Sequence, residues 1–198
     1  NIINDKFYCL EADLRMRDSW FWEDNEYTIK SLDELLGMYK MGIGRGASML
    51  LNLAPSPDGN LEKKDVERLF ELRNAIQALY EKPCPFDRFE KTKDNCYELS
   101  YSKEIYWRDI QDTMNLPRVK HVVIREDVTL GELVHSWKLI ATIPSKYPYA
   151  DWQFTLAEGH GIGRKRIIEV PSIRCPRFRL EICSCDGTPH IVEMKAFS

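Results

Sequence analysis

The chain has 198 residues, of which 30% are charged and 43% hydrophobic, and its net charge is −3. That length allows one large domain or two modest ones, and the composition is that of an ordinary globular protein. The slightly acidic balance makes no electrostatic case for a nucleic-acid partner. No apolar run approaches the roughly 20 residues of a membrane-spanning helix, so no membrane partner is expected.

In chain order, Phe7–Leu10 reads as a short strand. The stretch CLEADLRMRDSWFWEDNE, Cys9–Glu26, follows it and is therefore expected at a carboxyl end. It gathers Glu11, Asp13, Arg15, Arg17, Trp20 and Trp22. Indoles can cover the apolar face of a sugar ring while charged groups hydrogen-bond its hydroxyls, so this mixture suits a sugar. The alternative is a solvated loop whose tryptophans pack as core.

Ser31-Leu32-Asp33-Glu34 is a capping-box pattern and starts a helix with Leu32, Leu35, Leu36 and Tyr39 on one face. The glycines of GIGRGA, Gly42–Ala47, end that helix. GIGRGA also matches a relaxed dinucleotide fingerprint, but it follows a helix and opens a strand, the reverse of what phosphate binding needs. A second GIGR, Gly161–Arg164, reads as a turn between strands. Met49–Leu53 lacks alternation, as a strand buried on both faces does. Asn52 and the loop Ala54–Gly59 then stand at its carboxyl end, either at a pocket rim or simply as a proline-glycine turn. Leu61–Tyr80 reads as an amphipathic helix with Val66, Leu69, Phe70, Ala75, Ile76 and Leu79 at helical spacing.

Strand, helix, strand, helix is an α/β pattern. Two βα units are too few to close a (β/α)8 barrel, which needs about 250 residues. The pattern changes near Lys82-Pro83-Cys84-Pro85. Beyond it, Arg118–Arg125, Val134–Ile143, Trp152–Leu156, Lys165–Val170, Arg177–Ile182 and Ile191–Phe197 read as strands at spacings that suit an antiparallel β-sandwich. In Arg177–Ile182, Phe178, Leu180 and Ile182 point one way. The expected division is residues 1–82 and 83–198.

The six cysteines are spread without metal-type pairing and read as reduced and structural. All four histidines, His121, His135, His160 and His190, lie in the second half. Histidine-based catalysis or metal binding in the first part would have to borrow from the second. His135, on an alternating strand, reads as structural. No metal and no cofactor are expected.

Taken together, these stretches resemble the α-L-fucosidase family of retaining glycoside hydrolases. SWFWEDNEYTIKSLDELLGMYKMGIGRGASMLLNLAPSPDGNL looks like that family's late barrel region, with its aromatic stretch, its KS-x-EEL helix and its GRGANLLLN strand. CLEADLRMRDSWFW resembles the family's PAEVDxSIRPGWFY, which puts Glu11, Asp13, Arg17, Trp20 and Phe21 on the pattern. Cys9, Arg15, Trp22 and Glu23 depart from it, where the family has proline, serine, tyrosine and histidine, and Ser48 stands where it usually has asparagine. VKHVVIREDVTLGELVHSWKL and the segments around HGIGRKRIIEV look like the galactose-binding-type sandwich that follows the barrel.

The resemblance implies a fold of two parts: the C-terminal βα units of a (β/α)8-like barrel, then a galactose-binding-like jelly roll. It implies a fucosylated glycan as substrate and the remainder of the catalytic barrel as partner. Retaining glycosidases use a nucleophile and an acid/base about 5–5.5 Å apart. The resemblance puts the nucleophile, and the acid/base with it, upstream of Asn1, and the chain alone is expected to be inactive. Substrate-binding residues are expected at Glu11, Arg17, Trp20 and Trp22, with Glu11 a weak catalytic candidate. Asp33 and Glu34 are assigned to the helix cap. The alternative from another class is a non-catalytic carbohydrate-binding sandwich, with Trp137 or Trp152 as the sugar platform.

Overall fold

The computed structural model describes residues 2–3, 6–7, 10–106, 110–145 and 149–198. A small antiparallel pair, β1 (Ile2–Ile3) and β2 (Lys6–Phe7), opens the chain. The strand expected over Phe7–Leu10 is displaced. Phe7 ends β2, residues 8 and 9 lie outside the described residues, and the next strand, β3, is Glu11–Arg15. Its basis is visible as period-two alternation: Ala12 and Leu14 are more sheltered than Glu11 and Asp13, and Met16 just beyond is buried.

α1 (Leu32–Met41) carries the expected capping box. The Glu34 amide donates to Ser31 Oγ and the Ser31 amide donates to Glu34 Oε2, at 3.2 and 2.8 Å. The Ser31 hydroxyl, donating to Glu34 Oε2 at 2.7 Å, and then the Ser31 amide favour the ionised carboxylate and hold the Glu34 pKa below its ordinary value. Gly42 caps the other end, and a short 3-10 turn at Ile43–Arg45 leads into β4 (Ser48–Asn52). GIGRGA is thus a helix end and an αβ turn. β3 and β4 are parallel, in register from Glu11↔Ser48 to Arg15↔Asn52. Parallel neighbours need a crossover, and α1 is that crossover.

α2 (Lys63–Ala78) follows the loop after β4. Met16, Leu35 and Leu72 form a small buried cluster, with Leu51, Leu53 and Ile76 packed against it. β4 is not buried on both faces as its apolar run suggested. Leu50 is 58% exposed. The reason is geometric: among the described residues the strand pairs with β3 alone, and the helices pack on the face that carries Leu51. The expected apolar face of α2 is partly open too, since Phe70 is exposed and Leu72 takes the inner position.

The rest is antiparallel. β5 (Arg88–Lys93), β6 (Cys96–Ser100), α3 (Ile110–Asn115), β7 (Val119–Glu126), β8 (Val134–Ile143), β9 (Trp152–His160), β10 (Arg166–Ile173), β11 (Arg177–Cys185) and β12 (Ile191–Phe197) follow in order. They make a five-stranded sheet, β5-β6-β11-β8-β9, and a three-stranded sheet, β10-β7-β12. Both contribute to one core. Leu139, Phe178, Leu180 and Ile182 come from the first sheet, and Val122, Ile124, Ile168 and Met194 from the second. That is a two-sheet sandwich with inward side chains alternating along each strand.

All six strands read from the sequence are present, the inward direction of Phe178, Leu180 and Ile182 included. The β5–β6 hairpin was not anticipated. β5 is almost wholly exposed and its charges hide its period. The turn signal was there, because Asn95 at φ 61° occupies the left-handed region that asparagine tolerates.

A buried carboxylate ties the sandwich corners. Glu126 is 3% exposed, and its oxygens accept from the amides of Leu133, Val134 and Gly163 at 2.8, 3.1 and 3.1 Å. The sandwich meets the first part through His121, whose Nε2 lies 2.8 Å from the Leu79 carbonyl. The imidazole stacks on Phe197, and Tyr80 packs edge-on to the same ring.

Candidate functional site

The carboxyl ends of β3 and β4 stand side by side. The Met16 amide donates to the Asn52 carbonyl at 3.0 Å and carries the ladder one step past Arg15. The chain then returns on itself: the Asp18 amide donates to the Thr28 carbonyl, the Lys30 amide to the Met16 carbonyl, and Arg17 bridges Ile29. Residues 16–30 therefore form a loop folded over the strand ends. The Lys30 ammonium, 2.6 Å from Asp18, holds that exposed carboxyl below its ordinary pKa, chiefly by hydrogen bonding.

Asn52 is a polar residue set between Leu51 and Leu53. Its Nδ2 donates to the Trp20 carbonyl at 2.9 Å, so it fastens the aromatic loop to the end of β4. Trp20 is 47% exposed, and the Arg15 guanidinium lies 5.5 Å from its ring centroid. A cation over an indole face is mutually favourable and holds the ring in place. Phe21 beside it is 80% exposed. Trp22 is half-buried, and its Nε1 donates to Glu62 Oε1 at 3.1 Å.

Arg17 does something other than expected. It is 4% exposed, and its Nε lies 3.1 Å from both oxygens of Asp65, itself fully buried in α2. Its Nη1 donates to the carbonyls of Glu23 and Asn25 at 3.1 and 2.9 Å. The guanidinium braces the loop from beneath, and the expectation that it holds sugar oxygens has no support in these contacts. Asp65 escaped sequence reading because the pair spans 48 positions and nothing local marks it.

Glu11 stands elsewhere as well. It pairs with Ser48 at the amino end of β3, while Trp20 gathers at the carboxyl end. Four residues of strand separate Glu11 from Arg15, about 13 Å at roughly 3.3 Å per residue. The Cys9–Glu26 stretch was expected to lie wholly beyond a strand, and instead it contains one. The structure thus brings Trp20, Trp22 and Arg17 into one loop and leaves Glu11 at the other end. Arg15 and Asn52, both half-buried, stand beside Trp20.

The arrangement offers an apolar ring face beside a cation. That combination grips a polar ring by its face and its hydroxyls. Among the described residues, no group of three or more His, Cys, Asp or Glu side chains could hold a metal ion. The described cysteines are free thiols, and burial pushes the Cys175 pKa up to about 11.

A parallel βα pair joined to an antiparallel sandwich, with aromatic and cationic groups at the strand ends, defines an α/β-plus-β protein. The alpha-L-fucosidase family matches residues 4–81. Alpha-L-fucosidase 1 of Arabidopsis thaliana is 33% identical over 69 residues, covering 33% of this chain and 13% of that protein. A glycoside hydrolase 29 family member from an unknown rumen bacterium superposes with a TM-score of 0.79 at 22% identity, over 98% of this chain and 33% of that one. A Ruminococcus gnavus fucosidase of the same family, solved in complex with fucose, gives a TM-score of 0.73 at 22% identity, over 96% of this chain and 41% of its own. The family this chain resembles is that of the α-L-fucosidases. The chain spans 38% and 13% of the lengths of the two curated relatives it matches.

Proposed function

We propose that this chain is the C-terminal portion of an α-L-fucosidase, a retaining glycoside hydrolase that releases L-fucose from fucosylated glycans. Residues 1–82 supply the last βα units of the barrel, and residues 83–198 a galactose-binding-like jelly roll. The observation that carries this reading is the open β3–β4 pair. Two parallel strands bury little by themselves, and an exposed Leu50 in so apolar a strand calls for further strands and cover. The remainder of the catalytic barrel is that cover. It also brings the nucleophile and the acid/base, so the chain alone is inactive.

Within the sugar pocket, Trp20 packs on the ring, and Arg15 and Asn52 hold its place. Trp22 supports the loop through Glu62, and Arg17 supports it through Asp65. Glu11, at the far end of β3, takes no part in the chemistry. The likeness to a fucosidase solved with fucose supports the ligand class.

A second reading, a carbohydrate-binding sandwich, rests on Trp152, 53% exposed on β9. Trp137, the other platform considered, is 2% exposed and cannot stack on a sugar. One titration separates the two readings. L-Fucose is added to the 15N-labelled chain and the indole N–H resonances are followed. The fucosidase reading expects the Trp20 indole to shift and Trp152 to stay. A shift at Trp152 with none at Trp20 would overturn it in favour of the sandwich.

A further inference from the structure

The two GIGR stretches are far apart in sequence and meet in the fold. A Cβ placed on Gly46 would lie 3.5 Å from the Arg164 amide and 3.8 Å from Gly163 Cα. One placed on Gly44 would lie 3.1 Å from the Ile167 side chain. Gly46 and Gly163 hold φ of 88° and 65°, which only glycine adopts without strain. The glycines let the αβ turn after α1 nest against the turn before β10, and the basic residues of both turns collect around the seam.

A cleft of about 310 Å³ opens there, lined by the Gly46–Ser48 backbone, Arg125, Arg164 and Lys165. Among the described residues lining it are three cations and no carboxylate. Arg125 and Lys165 also line an adjoining cleft of about 380 Å³ together with Lys195. The cations are positioned. Arg125 Nε donates to the Arg164 carbonyl at 3.3 Å. Lys165 Nζ sits 4.4 Å from the Tyr80 ring centroid and 3.5 Å from the Tyr39 hydroxyl. Arg166, over the Trp137 ring, is held below its ordinary pKa by burial and then by the nearby Arg45 charge.

Three carboxylates stand close by. Glu193 is engaged with Arg125 and Lys195. Glu126 accepts from the Leu133, Val134 and Gly163 amides. Glu132 Oε1 lies in the seam, 2.7 Å from a Cβ placed on Gly163 and 3.7 Å from one placed on Gly46. Against them stand Arg45, Arg125, Arg164, Lys165, Arg166 and Lys195, so the seam keeps an excess of positive charge that a bound anion would neutralise.

We propose that this cleft is an oxyanion site that takes a sulfate or phosphate group. Guanidinium forks match such groups bidentately, and Lys165 adds a point charge. The site lies at the amino end of β4, opposite Trp20, and does not depend on the fucosidase reading. The group could be an ester on a sugar or a free ion, and the test distinguishes them.

The full chain is titrated calorimetrically with inorganic sulfate and with galactose 6-sulfate, at constant ionic strength in chloride. The expected result is saturable binding that Arg164→Glu weakens at least tenfold with an unchanged melting temperature. Lys165→Gln replaces it should Arg164→Glu lower the melting temperature. Tighter binding of the sugar ester supports a sulfated glycan as ligand, and equal or tighter binding of inorganic sulfate supports a free oxyanion. Absence of saturable binding by both probes, or binding that the variant leaves unchanged, overturns the proposal.

Discussion

Arg17 and Asp65 hold the aromatic loop onto α2, and they do so as a buried pair of opposite charges. Such a pair contributes little against a well-packed apolar replacement, yet removing one member leaves the other charge buried and unpaired. Arg17→Ala is therefore expected to lower stability by about 3–5 kcal/mol. The double variant Arg17→Met with Asp65→Leu should lose much less than the sum of the single changes. Denaturant unfolding of Arg17→Met, Asp65→Leu and the double variant checks this, and additive losses would mean that the two groups do not act as a pair.

His121 makes a pH prediction of its own. Burial, first, holds its pKa below the ordinary value, with Lys40 and Lys120 adding to the effect; Glu169 and the Leu79 carbonyl oppose it. The unfolded chain, with an ordinary histidine pKa near about 6.5, then binds a proton that the folded chain refuses. His121's contribution is fully present above that value and is lost as pH falls below it toward the depressed folded pKa. Stability should therefore decline on acidification below about 6.5, and His121→Gln should flatten that decline. Unfolding midpoints at pH 7.5 and pH 5.5 compare the two proteins.

At the scale of elements, the first part is unevenly covered. Leu35 is 1% exposed on the inner face of α1, and Leu50 is 58% exposed on β4. Leu35→Ala should lower stability by about 2–5 kcal/mol. Leu50→Lys should change the isolated chain by no more than about 0.5 kcal/mol, although both residues are leucines in apolar runs. Thermal unfolding distinguishes them. A large loss at Leu50 would mean that the isolated strand has a covered face after all.

This contrast marks where sequence reading reached and where it stopped. α1 was legible because a cap motif and a helical period are local signals. β4 was legible as a strand, but its cover was not, since burial depends on neighbours that local pattern does not record. The start of β3 was not legible because the charges of EADLRM mask the alternation of Ala12, Leu14 and Met16. The charged edge strand β5 carries almost no inward period to read.

For the whole molecule, the described residues hold two separate clusters of buried side chains, one under β3 and β4 and one between the sheets. The join between them was not legible. It is built from His121, Tyr80, Phe197 and the two GIGR turns, residues that come together only through tertiary packing. Of the site residues expected from sequence, Trp20 is exposed at the strand ends. The polar atoms of Trp22 and Arg17 are already engaged by Glu62 and Asp65. Glu11 stands at the amino end of β3 rather than beyond a strand, because the strand begins at Glu11.

The central claim is that this chain carries part of a fucose pocket while the reacting carboxylates lie on the rest of a barrel. Hydrolysis of an aryl α-L-fucoside by the purified chain, followed by release of the phenol, tests it most directly. The account predicts no turnover above buffer. Saturable turnover that is abolished by Glu11→Gln would contradict it, because the chemistry would then reside on this chain and at the end of β3 away from Trp20.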